Sequence, residues 1–317
     1  MLIKTLDFAM DFSSLLPTFL ITLREGVEAA LVVGIVLAYL QRSRQNYLNR
    51  WVYLGIVAGI AVSALIGLLF GWLIKLLGAA SPVAEPLLEG VLGLIAIVLL
   101  SWMLIWMTQQ ARSMKTQVET SVTEALKTGA ALGVFWLSFI AVLREGFETV
   151  VFILAKFDQG LIPALGALAG LGTAVAIGVL LFKWGIKLNL RLFFKIMGIL
   201  LLLVIAGLVV TTLGHFDTVV ATLASQNRAS ESLCLYYERF TKIHSCILGS
   251  DVWDLSKVLP DDRFPGAILN ALFGYTQRLY QVQAIAYVLF LGTIGTLYFR
   301  SLSGRTRPIA KKILPER

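Results

Sequence analysis

Two five-residue segments, Arg24-Glu25-Gly26-Val27-Glu28 and Arg144-Glu145-Gly146-Phe147-Glu148, each lie in the middle of an apolar run long enough to cross a bilayer. An isolated ionised side chain at the centre of a membrane helix costs about 2.5–3.5 kcal/mol on insertion scales. Six such charges in two helices are tolerated only where they face one another or water. Both runs must therefore sit inside a helical assembly, and their charges mark the first place to look for function.

The rest of the composition agrees. At 58% hydrophobic and 15% charged residues, with a mean hydropathy of +0.82, the chain is too apolar for an ordinary soluble domain and reads as an integral membrane protein. The net charge of +8 does not point to nucleic acid, because the basic residues fall between and after the apolar runs and form no single polar surface. The first run carries the motif and has no convincing small-residue cleavage site, so it is expected to stay in the mature protein.

Stretches of about 20 or more apolar residues predict seven spans, near 14–40, 52–77, 87–108, 130–156, 163–183, 193–213 and 280–299. Arg42, Arg44 and Arg50, then Arg112, Lys115 and Lys127, then Lys183, Lys187, Arg191 and Lys195 occupy alternate connections, and the tail adds further basic residues. The opposite connections, 78–86 and 157–162, contain no Lys or Arg. The positive-inside rule then places the N-terminus outside and the C-terminus in the cytoplasm of a multi-pass plasma-membrane protein. The basic residues of the long outer segment count little in that rule.

Spans one to three resemble spans four to six. The motif recurs in one and four. Small residues recur every fourth position in span two (Gly55, Gly59, Ser63, Gly67, Gly71) and in span five (Gly166, Gly170, Ala174, Gly178). The segment Val91-Leu92-Gly93-Leu94 in span three parallels Ile196-Met197-Gly198-Ile199 in span six. Each repeat holds an odd number of spans, so the second is inserted upside down, the inverted plan of many secondary transporters. The expected fold is all-α: one membrane domain over 1–317, with repeats at 1–108 and 109–213, an extracytoplasmic loop at 214–279, and a seventh helix with its cytoplasmic tail at 280–317.

The outer segment reads as a partly helical cap, with an amphipathic stretch from Phe264 to Tyr280, opened by Pro265, lying along the membrane surface. Cys234 and Cys246 lie in this segment and exclude a cysteine-rich metal site. Facing an oxidising compartment, they either pair as a disulfide or stay free.

On a helix, Arg24 and Glu28 share a face and Glu25 lies on the same broad side; Arg144, Glu145 and Glu148 repeat the pattern. Gly26 continues through Ala30 and Gly34 as a small-residue stripe that would admit a neighbouring helix, whereas span four keeps Gly146 but has Val150 and Leu154 in place of the stripe. Inverted symmetry lets the two copies meet near mid-depth, gathering four carboxylates and two guanidinium groups, two negative charges in excess. Such a site wants a cation. Carboxylate oxygens suit hard ions, and Fe³⁺, Mg²⁺, Ca²⁺ and Mn²⁺ all fit. Glu25, Glu28, Glu145 and Glu148 are the metal-ligand candidates, with the arginines tempering how tightly an ion is held.

The bland alternative, two intrahelical Arg-Glu pairs that lock helices together, leaves Glu25 and Glu145 unpartnered at the most expensive depth. Glu85 and Glu89, four apart at the start of span three, read either as interfacial charges favoured by the helix dipole or, for Glu89, as a first station for an incoming cation. His215 and Asp217, at the end of span six, read as loop residues.

Two Arg-Glu-Gly-x-Glu copies in the first and fourth of seven spans resemble the high-affinity ferric-iron permeases, the oxidase-dependent iron transporter family of fungi and bacteria. The likeness covers nearly the whole membrane region and extends to the outside N-terminus and the long outer loop before the last span. It implies that Glu25, Glu28, Glu145 and Glu148 are the carboxylates on which iron passage depends, with Arg24 and Arg144 as their companions. Val27 and Phe147 stand where the family commonly has Leu, and an apolar residue is retained. The resemblance also implies an external ferroxidase or iron-delivery protein. The acids of 214–279 would replace the acidic outer motif of fungal members, which has no clear counterpart here. Iron is then cargo; no cofactor and no enzymatic activity are expected. Competing readings are a carrier for another hard cation such as Mn²⁺ or Pb²⁺, a non-transporting iron sensor or subunit, and an intramembrane hydrolase using paired carboxylates.

Overall fold

The computed structural model describes residues 12–78, 81–110, 114–156, 161–182, 189–226, 234, 245–261 and 265–302. Helices α1 (Phe12–Arg42), α2 (Asn49–Gly78), α3 (Ala84–Gln110), α4 (Met114–Lys156), α5 (Leu161–Phe182) and α6 (Leu190–Gln226) are followed by strand β1 (Asp251–Asp254), the short helix α7 (Gly266–Phe273), strand β2 (Arg278–Tyr280) and helix α8 (Gln281–Leu302). Five of them, α2, α3, α5, α6 and α8, are long and apolar enough to cross a membrane. The motif helices α1 and α4 have 31 and 43 residues, more than a bilayer requires, but each carries three motif charges within its apolar stretch. The chain is a multi-pass helical membrane protein.

Local chemistry sets the helix ends. Helix α1 stops where Arg44 adopts a left-handed conformation (φ 56°), and the next amide, of Gln45, donates back to the Leu40 carbonyl at 2.9 Å. The Asn189 side-chain oxygen accepts the Leu192 amide at 3.2 Å and caps α6. Pro86 and Pro163 stand in the first turns of α3 and α5, where a missing N–H costs nothing.

Three apolar clusters hold the bundle together. Leu100, Met103, Leu104, Leu201, Ile205 and Tyr298 join α3, α6 and α8. Leu23, Val27, Leu31, Ala174 and Met197 join α1, α5 and α6. Val36, Leu40, Leu48, Val52, Val122 and Val134 form a collar where α1 ends, α2 begins and α4 passes. That collar accounts for one departure from the sequence expectation. Helix α4 begins at Met114 and not near 130, because Val118, Val122 and Leu126 give its polar first part an apolar face against the collar, where Tyr39 and Thr123 hydroxyls meet at 2.9 Å.

Helix α6 likewise runs on to Gln226, so His215 and Asp217 are helical and not loop residues. Val219 is buried, which gives this extension an apolar anchor, and the Thr218 and Thr222 hydroxyls turn back to carbonyls one turn earlier. The expected surface helix from Phe264 to Tyr280 is shorter. It stops at Phe273 because Gly274 turns left-handed (φ 67°) with its backbone against Gly207 of α6, and α7 packs on α1 and α6.

The all-α expectation needs one amendment. Strands β1 and β2 pair antiparallel, with Asp251 opposite Tyr280, Trp253 opposite Leu279 and Asp254 opposite Arg278, and a bulge between the first two pairs. Strands of three and four residues leave no readable alternation in a sequence. The ribbon is clamped by Arg278 Nε to Asp254 Oδ2 at 3.0 Å. Nearby, Asp217 accepts the Ser245 hydroxyl at 2.6 Å and the Ile247 amide at 2.7 Å, and Cys234 is disulfide-bonded to Cys246. The N-terminal residues before Phe12, the tail after Leu302, and the acids Glu231, Glu238 and Asp262 lie outside the described residues.

Helix α1 packs chiefly on α5 and α4, α2 on α4, and α3 on α6. The small-residue stripes make two of these contacts close. A Cβ on Gly55 would stand 2.6 Å from the Phe135 carbonyl oxygen of α4, and one on Gly170 would stand 2.6 Å from that of Phe19 in α1. Gly59 faces Phe139 and Val142, and Gly170 also faces Thr22; Gly67 faces Val150, and Gly178 faces Ala30. Gly55→Ala and Gly170→Ala should each destabilise the protein by about 1–3 kcal/mol through overpacking against backbone. Gly71→Ala and Gly172→Ala, which meet nothing within 4 Å, should not. Thermal unfolding in detergent compares the four.

Candidate metal centre

The two motifs meet where α1 crosses α4. Helical spacing places Arg24, Glu25 and Glu28 on the side of α1 turned into the bundle, and all three are buried, at 2%, 2% and 6% exposure. Carboxylate oxygens from Glu25, Glu28 and Glu145 all lie within 4.8 Å of one another. Glu148, the fourth candidate, is not part of that trio. Among the described residues, neither oxygen of Glu25 receives a hydrogen bond, and one oxygen each of Glu28 and Glu145 is also without a donor. Buried carboxylates are costly unless something positive approaches them. A cluster with free lone pairs at its centre is chemically suited to a hard cation coordinated by oxygen.

The glycines let the helices come this close. Gly26 faces Ala174 of α5, and Gly146 faces Ser63 of α2. Ala174 and Ser63 hold the same place in their stripes, each four residues after a glycine that touches a motif helix. Glu89 lies near the start of α3, opposite His215 of α6, with Nδ1 to Oε2 at 2.8 Å. Glu85, one turn earlier, is exposed.

The arginines differ. Arg24 Nε lies 3.3 Å from Glu28 and Nη1 3.6 Å from Glu25, while Nη2 donates to the Met107 sulfur at 2.7 Å. Arg144 Nε donates to Glu148 at 3.3 Å and stands 4.0 Å from Glu145, and its guanidinium carbon lies 4.6 Å from the centre of the Trp106 ring. The Arg144 side chain is 49% exposed. It borders a groove of about 440 Å³ between α3 and α4, lined also by Trp102, Met103, Phe147 and Glu148. Sequence reasoning missed Trp106 and Met107. They carry no charge and sit in an apolar helix, so only their position opposite the arginines reveals them.

A multi-pass helical bundle with buried carboxylates gathered from two crossing helices is the architecture of a membrane cation carrier. The chain belongs to the Iron permease FTR1 family, whose profile matches residues 15–299. It is similar to an uncharacterized protein of Synechocystis, 46% identical over 302 residues, covering 93% of this chain and 96% of that one. It is also similar to the ferrous iron permease EfeU of Shigella sonnei, 34% identical over 298 residues (93% and 98% of the two chains), and to that of Yersinia pseudotuberculosis, 30% identical over 313 residues (96% and 100%). No solved structure matches the chain.

Arg24→Gln should destabilise the protein far more than Arg144→Gln. The first leaves Glu25 and Glu28 without their counter-charge at a buried site, a loss of about 3–5 kcal/mol for a broken buried pair. The second acts on a half-exposed side chain. Melting temperatures of the two purified variants check the order.

Proposed function

We propose that this protein is a high-affinity iron permease that moves ferric iron across the plasma membrane into the cytoplasm through the Glu25, Glu28 and Glu145 cluster, with Glu148 beside it. The observation that carries the reading is the set of three buried carboxylates, drawn from two helices, with oxygens within 4.8 Å of one another. Oxygen-only donors favour a hard ion, and Fe³⁺ is the hardest iron species available. The EfeU relatives are named ferrous iron permeases, which favours the second reading, that Fe²⁺ is the ion carried. The two converge if Fe²⁺ arrives and a separate ferroxidase or delivery protein hands it over as Fe³⁺.

The architecture we assign is seven spans, α1 to α6 and α8, with α1–α3 and α4–α6 as inverted repeats. Exchanging α1 with α4, α2 with α5 and α3 with α6 turns the α1–α5 contact into the α4–α2 contact and leaves the α1–α4 and α3–α6 contacts unchanged. The same exchange turns Gly55 on Phe135 into Gly166 on Leu15, Gly59 on Phe139 into Gly170 on Phe19, and Gly67 on Val150 into Gly178 on Ala30, all of which occur. With the N-terminus outside, Glu89 and His215 fall at the outer end of α3 and α6, above the carboxylates. They form the first station for the ion. The reading is a carrier and not an enzyme.

Iron uptake into proteoliposomes tests this directly and separates a carrier from a sensor. Glu25→Gln, Glu28→Gln and Glu145→Gln should each lower uptake at least about tenfold, the effect of removing one charged ligand from a buried site. Normal uptake in all three would overturn the site. Radioactive iron kept reduced with ascorbate, compared with ferric citrate, decides the oxidation state; transport of the reduced form alone overturns the ferric reading. Competition by Mn²⁺ and Pb²⁺ reports selectivity.

A further inference from the structure

We propose that Trp106 and Met107, adjacent on α3, are positioning residues that fix where the two motif arginines stand beside the carboxylates and so limit how many carboxylate oxygens those arginines occupy. The inference rests on the iron-site reading above and adds residues to it.

Consecutive residues on a helix point about 100° apart. Trp106 therefore reaches one arginine and Met107 the other: the first meets Arg144 of α4 and the second Arg24 of α1. Each takes up part of a guanidinium that would otherwise turn to a carboxylate. Arg24 Nη2 meets the Met107 sulfur, while Nε and Nη1 stand 3.3 Å from Glu28 and 3.6 Å from Glu25 as ion pairs. The Arg144 guanidinium carbon lies over the Trp106 ring at 4.6 Å, while Nε donates to Glu148 and stands 4.0 Å from Glu145. Positive charge is thus close enough to stabilise the cluster without a two-bond Arg-carboxylate pair at Glu25 or Glu145. An arginine fork left free pairs with a carboxylate through two parallel hydrogen bonds, and an ion would then have to displace it.

The test is iron binding by the purified full-length protein, which needs no turnover, together with the apparent KM and maximal rate in proteoliposomes. Trp106→Leu should weaken binding and raise KM about two- to fivefold, the range of a cation–π contact to a half-exposed arginine, with the maximal rate less affected. Affinity should fall in the order Trp, Tyr, Phe, Leu at position 106. Met107→Leu, which keeps the volume and removes the sulfur acceptor, should weaken binding severalfold. In an Arg144→Gln background, Trp106→Leu should add nothing further.

Equal losses from Trp106→Leu with and without Arg144, or no rescue by the aromatic substitutions, would assign these residues to packing alone and overturn the proposal. If Glu25→Gln and Glu145→Gln leave iron binding unchanged, the iron-site reading itself falls. If they abolish binding while the Trp106 and Arg144 effects simply add, only the positioning role falls.

Discussion

A bilayer core offers no water to a charged side chain, so each ionised group carried into it must find its partners within the protein. The six charges of the twin motifs organise this molecule around that requirement. Arg24, Glu25 and Glu28 are among its most deeply buried residues, and the helices that carry them cross where the second motif can answer the first. The glycine and alanine stripes follow from the same need. Without Gly55 and Gly170 the packing helices α2 and α5 would stand further from α4 and α1, and the carboxylates could not be enclosed.

The two halves are not copies in detail. Arg24 is sealed and bonded to a sulfur, whereas Arg144 lies half-exposed on an indole beside a groove between α3 and α4. Helix α3 breaks the symmetry, since it supplies the partner to both arginines. The arginine of one motif is thus firmly enclosed, and that of the other borders a groove.

Much of this was legible in the sequence. Charged motifs in apolar runs marked the site, and the four-residue spacing of small residues marked the close helix contacts, because both signals follow from the helical period. Helix limits were legible only where hydropathy changes. Met114 to about 130 in α4 and 214–226 in α6 are too polar to read as span, yet they continue helices through tertiary contacts that no local pattern records. The β1–β2 ribbon and the Gly274 stop depend on partners distant in the chain. Trp106 and Met107 were invisible for a simpler reason: an aromatic and a thioether in an apolar helix look like any other core residues until the arginines are seen against them.

The polar beginning of α4 has a mechanical consequence. At 43 residues the helix is a rod about 65 Å long, gripped by charge near Arg144 and by the Val122 and Val134 collar lower down. A rod fastened at two separated points cannot swivel about one of them alone. A movement of α4 near the carboxylates would therefore carry the corner between α1 and α2 with it.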